Sequence, residues 1–443
     1  MHKTLLSRQR HNERGQTILL VAISLVSLLG MAALAIDIVT LYAARSEIQR
    51  AADAAALAGA KAIADSGFTT LPTTDPNYSN AQALALLMAT NSINAVTLAT
   101  PPINLVAGMQ PLEPLPPSVD WSHQGNPRIT VTLERSNLPT FFSKIWGTSA
   151  AKVTATATAE AYNPANSATI TPIAPLSVKP WLVANADPTG TALTFVDTTS
   201  PNWVVDSGVI GKSFDLVVDC SHPGPNKCHP AHNPGLVPGA TSPQVEYVPA
   251  VVTTPNTQNV CPACAGASDY EQSIECADAA TSYQVLSCGG GAAQAQWDDD
   301  INPGRTPGNN ATSLGGQCLI HASSEGSAGQ DTLTELNPMF SAPYQIKQKS
   351  GNLVTTSSSI VTIPIIDNNP LIPGGGAVTV VGFLQAFINQ VDPSPVVATE
   401  PPEGSINITV LNIAGCSSSN NGASPVVGAS GTSPVPVRLI TSP

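Results

Sequence analysis

The feature that most constrains this chain is an apolar segment, Thr17 to Ile36, which continues directly into an alanine-rich pattern. The segment contains neither a charged residue nor a proline. At a helical rise of about 1.5 Å per residue it would span roughly 30 Å, the thickness of the hydrocarbon core of a bilayer. We therefore predict a transmembrane helix over residues 17–36.

The charges that precede this segment predict its orientation. Lys3, Arg8, Arg10 and Arg14 stand against the single acid Glu13, and an excess of basic residues holds that end of a first span in the cytoplasm. We expect residues 1–16 to form a cytoplasmic basic tail. The bulk of the chain would then be extracytoplasmic, either periplasmic or at the cell surface.

A cleaved signal peptide is the competing interpretation of the same segment. The small residues Ala33 and Ala35, separated by Leu34, fit a cleavage site. The anchor is favoured because the apolar run exceeds a typical signal core and because the helical pattern continues through the would-be cleavage site. Whether the anchor is retained stays open at this point.

Beyond the span, small apolar residues recur at steps of three and four. They are Leu41, Ala44, Ile48, Ala51, Ala55, Ala58 and Ala62. Charged residues occupy the other faces, so the pattern predicts an amphipathic helix with a small-residue seam. Alanine allows a close approach of the partner backbone. We favour packing within the chain's own domain over an intermolecular coiled coil.

These residues also resemble a known family. The run from Gly15-Gln16 through Ala35-Ile36-Asp37, Leu41-Tyr42 and Arg45 to the segment 49–60 is similar to the N-terminal TadE/TadG-like module of TadG-like Flp pilus-assembly proteins. These belong to the bacterial tight-adherence (Tad) system. The resemblance implies an envelope protein with one membrane helix and no enzymatic role, whose partners are the inner-membrane bilayer and other Tad or Flp pilus components.

Two departures limit what the resemblance carries. Prepilins of that system have a glutamate five residues after the processed glycine, whereas Leu20 stands there after Gly15. Some TadG proteins contain a von Willebrand A domain with an Asp-x-Ser-x-Ser metal loop, and the nearest string here, Asp197 to Ser200, does not fit. We predict neither prepilin processing nor such a domain.

The rest of the first 162 residues predicts an α+β module over 37–162. We expect a helix over 81–96, a strand over 129–133, a short helix over 138–146 and a strand over 152–162, where alternation has a strict period of two. The helices would cover one face of a small antiparallel sheet. The passage over 129–161 also resembles the strand, Pro-Thr-Phe-Phe, strand passage of Tad-type proteins.

Composition divides the remainder into a Cys/Gly/Pro-rich region over 163–357 and a β-rich region over 358–443 with a Ser/Gly-rich tail. All eight cysteines lie from Cys220 onward, which in an oxidising compartment indicates up to about four disulfides with 105 conceivable pairings. The predicted fold class is α+β: a long N-terminal transmembrane and amphipathic helix, then an antiparallel β-rich extracytoplasmic region with a Cys-rich irregular insert.

Four groups of residues were weighed for chemistry. Cys220, His222, Cys228, His229 and His232 could supply zinc ligands, but a disulfide with surface histidines is favoured. Structural disulfides are likewise favoured over a redox centre at Cys261 and Cys264. Asp298 to Asp300 with Asn302 do not fit an EF-hand. Asp37 marks the edge of the span or pairs with a partner's base.

The net charge of −12 makes nucleic-acid binding improbable, since phosphate contacts need a basic surface. We found no zincin, P-loop or dinucleotide-binding motif. The sequence therefore predicts a non-enzymatic, membrane-anchored envelope protein for Flp pilus assembly or surface adherence, with no catalytic residues, metal ligands or cofactor assigned. The alternatives are a hydrolase or metal-binding enzyme that uses the Cys/His-rich region, and an adhesin whose Cys-rich insert contacts a surface.

Overall fold

The computed structural model describes the residues that form the elements below and the segments adjoining them. The described ranges are 10–65, 78–98, 113–114, 117–122, 126–140, 142–145, 147, 150–161, 178–199, 203–218, 222–224, 227–229, 235–249, 269–275, 293–295, 311–322, 329–335, 344–354, 357–367, 376–391, 404–416 and 437–440.

Among the described residues, helices form the beginning of the chain and three short segments farther along. They are α1 (Arg10–Asp65), α2 (Tyr78–Leu98), α3 (Phe142–Ile145), α4 (Asp269–Glu275) and α5 (Ala311–Leu319). The prediction of one uninterrupted helix through the apolar span and the alanine-rich pattern is confirmed by α1.

Strands dominate the rest of the described chain. They are β1 (Glu113–Pro114), β2 (Ser118–Asp120), β3 (Arg128–Pro139), β4 (Ala150–Ala161), β5 (Trp181–Ala184), β6 (Val196–Asp197), β7 (Val204–Val205), β8 (Ser213–Val217), β9 (His222–Gly224), β10 (Lys227–His229), β11 (Gln244–Pro249), β12 (Ala293–Ala295), β13 (Thr332–Glu335), β14 (Tyr344–Lys347), β15 (Leu353–Val354), β16 (Ile360–Ile366), β17 (Gly376–Val378), β18 (Val380–Val391), β19 (Ile406–Gly415) and β20 (Val437–Ile440).

The first layer is an antiparallel sheet covered by α1 and α2. Its strand order is β1-β3-β4-β20, with β2 pairing with β3. Alternate residues of β3 and β4, such as Val131 and Ala157, are buried against alanines of both helices. The predicted arrangement of helices on one face of an antiparallel sheet is therefore confirmed.

One predicted element in this layer is wrong in extent. The helix expected over 138–146 shrinks to the four residues of α3. Strand β3 instead continues through a register shift after Arg135, so that Leu138 pairs with Ala151 and Pro139 with Ala150. Pairing with β4 thus overrides the local helical pattern as far as Pro139.

Beside this sheet, six further strands form a closed barrel in the order β11-β5-β16-β18-β19-β8. The pairs β5/β16 and β8/β11 are parallel and the other four are antiparallel. Aromatic rings fill its interior, with Trp181 edge-on to Tyr247 at 6.5 Å and Phe195 stacked on Phe214 at 5.7 Å. The barrel takes strands from both sides of residue 357.

The helix-covered sheet and the barrel are joined in two ways. Strand β20 returns to pair with β4, in register from Val437 opposite Ala161 to Ile440 opposite Thr158. In addition, the buried amide of Asn412 on β19 donates to the carbonyl of Ala64 near the end of α1, at 3.0 Å. The long helix is thereby linked to the barrel.

Candidate functional site

The N-terminal half of α1 is exposed and apolar. Its large side chains are open to the surroundings, as in Ile18 at 71% and Val26 at 68% exposure. Among the described residues, α1 is the one helix long and apolar enough to cross a membrane, and none of its most apolar window is buried. A surface of this kind is stable when lipid covers it.

The exposed segment ends at a contact between α1 and α3. Asp37 is 4% exposed, and its Oδ2 accepts a 2.8 Å hydrogen bond from the backbone N–H of Phe142, the first residue of α3. A helix leaves its first N–H groups without internal partners, and this carboxylate satisfies one of them. Asp37 therefore fixes the β3–β4 connection to the edge of the apolar segment.

The contact extends into the apolar segment itself. A Cβ built on Gly30 would lie 3.5 Å from Cε2 of Phe142, so the ring reaches this part of α1. Gly30 and Ala33 are partly covered, whereas their neighbours are exposed. Spacings of three and four place both on the same helical face as Asp37.

On the C-terminal side of Asp37, the same face of α1 forms the buried seam that was predicted from the sequence. Of the predicted seam residues, Ile48, Ala51 and Ala55 are at most 4% exposed and pack against α2, β3 and β4. Leu41 and Ala58 are only partly buried. Residue Gly59 marks the closest approach. A Cβ there would overlap Cδ1 of Ile129 and lie 3.0 Å from the carbonyl oxygen of Ala85. The seam is thus used within the chain's own module.

Polar contacts fix the register of α1 on the sheet. The nearly buried Arg135 of β3 donates to Oε2 of Glu47 at 2.8 Å. Two residues along, Gln49 donates to the carbonyl of Thr156 on β4 at 3.3 Å and, within the helix, to Oδ1 of Asp53 at 2.7 Å. These contacts hold the helix against rotation about its own axis.

A groove of about 410 Å³ lies beside the same part of α1. It is lined by Ile38, Leu41, Tyr42, Arg45, Lys152, Val153 and Thr154. The lining combines apolar side chains with the cationic side chains of Arg45 and Lys152, and Tyr42 is 70% exposed. Lys152 also pairs with Glu134 across the strands, at 2.5 Å.

A buried polar network in the barrel was not predicted from the sequence. Lys179 donates from Nζ to the carbonyl of Ile274 at 2.6 Å, and burial lowers the pKa of this lysine to about 8, against the raising effect of Glu275. In the same core the hydroxyl of Tyr247 donates to the carbonyl of Gly404 at 2.9 Å and lies 3.4 Å from Oγ1 of Thr312. The sequence did not predict a buried Lys179. Its single distinguishing feature is that it is the one charged residue in the run PLSVKPWL.

A second buried carboxylate organises the loop after β5. Burial acts to raise the pKa of Asp187, but hydrogen bonds from Thr191, Thr189 and the N–H of Ala192 outweigh it, so that the pKa is lowered. Asp197 makes a similar smaller turn, accepting from the N–H and hydroxyl of Thr199. Both carboxylates bond to their own loops, which is a structural use.

The sequence candidates for metal and redox chemistry fall largely outside the described residues. Cys220, His232, Cys261, Cys264, Asp298 to Asp300 and Asn302 all lie there. The backbones of His222, Cys228 and His229 belong to the β9–β10 hairpin, in which His229 stands opposite His222. Within the part of the chain that is described, no group of three or more potential ligands could hold a metal ion.

The burial of two further cysteines is described, and both Cys318 on α5 and Cys416 after β19 are buried. The N–H of Cys416 donates to Val381, whereas Gly316, two residues before Cys318, packs on Val391 at the other end of β18. Ten strand residues span roughly 30 Å. A disulfide needs Cα atoms less than about 7 Å apart. The two cysteines are therefore too far apart to bond to each other.

Comparison with known proteins identifies the region around the α1–α3 contact. Residues 15–62 match the model of a family described as putative Flp pilus-assembly TadE/G-like. This match confirms the resemblance seen in the sequence, and it covers the exposed segment, Asp37 and most of the buried seam. Neither curated proteins nor solved structures include a significant match to the chain.

Proposed function

We propose that this protein, whose residues 15–62 form a TadE/G-like pilus-assembly segment, is a single-span envelope protein that acts in Flp pilus assembly or surface adherence without catalysing a reaction. The observation that carries the proposal is the continuity of α1. One helix presents a bare apolar surface over the predicted span and then packs its seam into a folded module.

The orientation in this proposal follows from charge. The basic residues before the span favour a cytoplasmic location for residues 1–16, which would make the sheet and the barrel extracytoplasmic. We assign Cys318 and Cys416 to disulfides in that location, because disulfides persist in oxidising compartments. We extend it to a framework that includes the other six cysteines.

We also propose where partners would bind. Because the alanine seam is occupied by α2, β3 and β4, other pilus components would contact surfaces outside it. The groove between Tyr42 and Lys152 is one such surface, close to the membrane and both apolar and cationic. A non-enzymatic role agrees with the bonding of Lys179, whose buried ammonium group donates to the backbone carbonyl of Ile274.

The test is complementation of a strain that lacks the gene. We expect the deletion to lose Flp pili and adherence, and the full chain to restore both. A variant in which a cleavable signal replaces residues 1–36 should reach the same compartment but fail to restore them. As the matched control, an unrelated apolar helix of equal length replacing 17–36 should restore them if the span acts as an anchor alone.

Two outcomes would contradict the proposal. Normal pili and adherence in the deletion strain would remove the assembly role. Protease added outside spheroplasts should digest the barrel and spare a tag placed before Arg10. Protection of the barrel with loss of the tag would overturn the orientation.

A further inference from the structure

We propose that α3 is a second membrane contact, which inserts the ring of Phe142 into the outer leaflet and places Lys144 among phospholipid headgroups. The inference rests on the proposed anchoring of α1 in a bilayer. It goes beyond that anchoring because α3 belongs to the folded module, between β3 and β4, and is separated from the span by about a hundred residues of chain.

The first argument is depth. Phe142 is bonded through its N–H to Asp37, just past the predicted span, while its ring lies against Gly30. Seven helical residues separate Asp37 from Gly30, which at 1.5 Å each is about 10 Å along the helix. A ring beside Gly30 therefore lies below the outer edge of the hydrocarbon, whose boundary is near Ile36.

The second argument is coverage. On the apolar segment, Gly30 and Ala33 are partly covered, whereas large side chains on either side, such as Leu29 at 62% and Met31 at 68%, are exposed. The cover on Gly30 is the ring of Phe142. One element of the module thus follows α1 into the bilayer, and the small residue Gly30 lets it approach the helix closely.

The third argument is polar satisfaction. A backbone N–H in hydrocarbon raises the free energy unless it is hydrogen-bonded. The carboxylate of Asp37 accepts a hydrogen bond from the backbone N–H of Phe142. Two residues on, Lys144 is exposed. A lysine at this depth extends its ammonium group toward the headgroup phosphates. The turn then ends at Gly147, whose φ of 91° suits glycine and whose N–H donates to the carbonyl of Lys144.

The occupant is lipid rather than a second protein. The ring of Phe142 lies against Gly30 within the proposed membrane span of α1. The lipid that surrounds this part of α1 would therefore also contact the ring. The neighbouring groove adds Tyr42 and Arg45 a few residues beyond the span, and aromatic and basic side chains are typical of the membrane interface. The groove thus lies at the height of the headgroups, farther along α1 than the ring of Phe142.

The experiment uses the full chain reconstituted into phospholipid vesicles, with the photo-reactive p-benzoylphenylalanine at one position per variant. The lipid carries an alkyne for detection. We expect lipid adducts from Phe142 and from Ile23 within the span. Leu193, which is 91% exposed on the barrel, is the negative control and should give none. Lys144, whose side chain is exposed, serves as a second reporter if the change at Phe142 disturbs folding.

The outcomes separate this inference from the anchor on which it rests. Adducts at Ile23 and at either Phe142 or Lys144 support it. Adducts at Ile23 with none at both α3 positions overturn the α3 contact and leave the anchor intact. A crosslinked protein dimer from Phe142 in place of a lipid adduct overturns it in favour of a protein partner. Absence of lipid adducts at all positions, Ile23 included, overturns the anchor itself and with it this inference.

Discussion

At the scale of single residues, Gly59 shows how little space separates α1 from its partners. Two elements converge on its Cα, the side chain of Ile129 on β3 and the carbonyl of Ala85 on α2. A backbone carbonyl moves only with its helix, so an added side chain cannot be accommodated by a rotamer change. Glycine is therefore required here by close approach, not by its backbone angles.

We predict that Gly59→Val destabilises the module by about 2 kcal/mol or more, because overpacking separates α1 from α2 and β3. The measurement is denaturant unfolding of the full chain in detergent micelles. Ala54→Val on the exposed face of the same helix is the matched control, with a cost below about 1 kcal/mol. Equal midpoints for the two variants would contradict the role given to Gly59.

Lys179 allows a prediction of pH dependence. Its pKa in the folded protein is about 8, below the ordinary 10.5. Between these values the folded state binds fewer protons than the unfolded state, so stability rises with pH across that window. From pH 7 to 9.5 the gain from this residue is about 2 kcal/mol.

The check is to compare stability at both pH values in Lys179→Met, which removes the titrating group and keeps a stem of similar length. The difference between wild type and variant should change with pH by the amount given above. Lys212→Met, at an exposed position, should follow the wild-type profile. A Lys179→Met profile parallel to wild type would show that the lysine does not titrate in this window.

At the scale of elements, β20 is held to the sheet by charge as well as by its ladder. Glu160 on β4 is 2% exposed and accepts from Arg438 on β20 at 2.6 Å and from Arg128 on β3 at 3.2 Å. The carboxylate thereby links three adjacent strands. A charge this deeply buried needs its partners.

We predict that Arg438→Met loosens β20, at a cost of about 1 kcal/mol or more from the lost charged hydrogen bonds. Amide exchange of residues 158–161 on β4, which pair with β20, should accelerate. Lys152→Met is the control, because its pair with Glu134 is largely exposed on the lysine side and should matter less. Unchanged exchange on β4 in Arg438→Met would contradict this account.

Local periodicity was enough to predict α1, α2, β3, β4 and the seam, because each pattern is long and its partners lie nearby in sequence. The barrel could not be predicted in the same way. Its strands β5 and β11 are short apolar runs, WLVA and QVEYVP, and their partners include the distant β16 and β8. For the last part of the chain only a β-rich region over 358–443 was predicted, and its strands β16, β18 and β19 close a barrel with β5, β8 and β11.

The candidate site was predicted only in part for a related reason. Asp37 attracted attention because a carboxylate at the end of an apolar span is unusual. Its acceptor role toward Phe142 could not be read from the sequence, since the two residues lie 105 positions apart. Lys179 and Asp187 carry no motif at all, and their shifted pKa values arise from burial and bonding that only the fold creates.

At the scale of the whole molecule, the buried amide of Asn412 connects the barrel to the end of α1. It donates to Ala64 across 348 residues of sequence, and its oxygen accepts the N–H of Ile413. A buried amide without a partner is costly, so the barrel is most stable when α1 is in place. Movement of α1 would in turn break this hydrogen bond to β19.

We predict that Asn412→Ala weakens this coupling, so that the module and the barrel unfold in two separated thermal transitions. The last turn of α1 should also become easier to cut with protease. Asn185→Ala is the matched control, because Asn185 makes its paired hydrogen bonds to Val196 within the barrel region. It should lower barrel stability and leave α1 protected. A single cooperative transition in Asn412→Ala would contradict the coupling.

The return of β20 to β4 also sets an order of events during synthesis. Arg438 and its partner Glu160 are 278 residues apart, so the ribosome finishes the barrel strands before it makes the strand that completes the first sheet. At about 5–20 residues per second this delay lasts roughly 14 to 56 seconds. Until then β4 has an open edge beside a helix already long enough to enter the membrane, and open edges invite pairing with other chains.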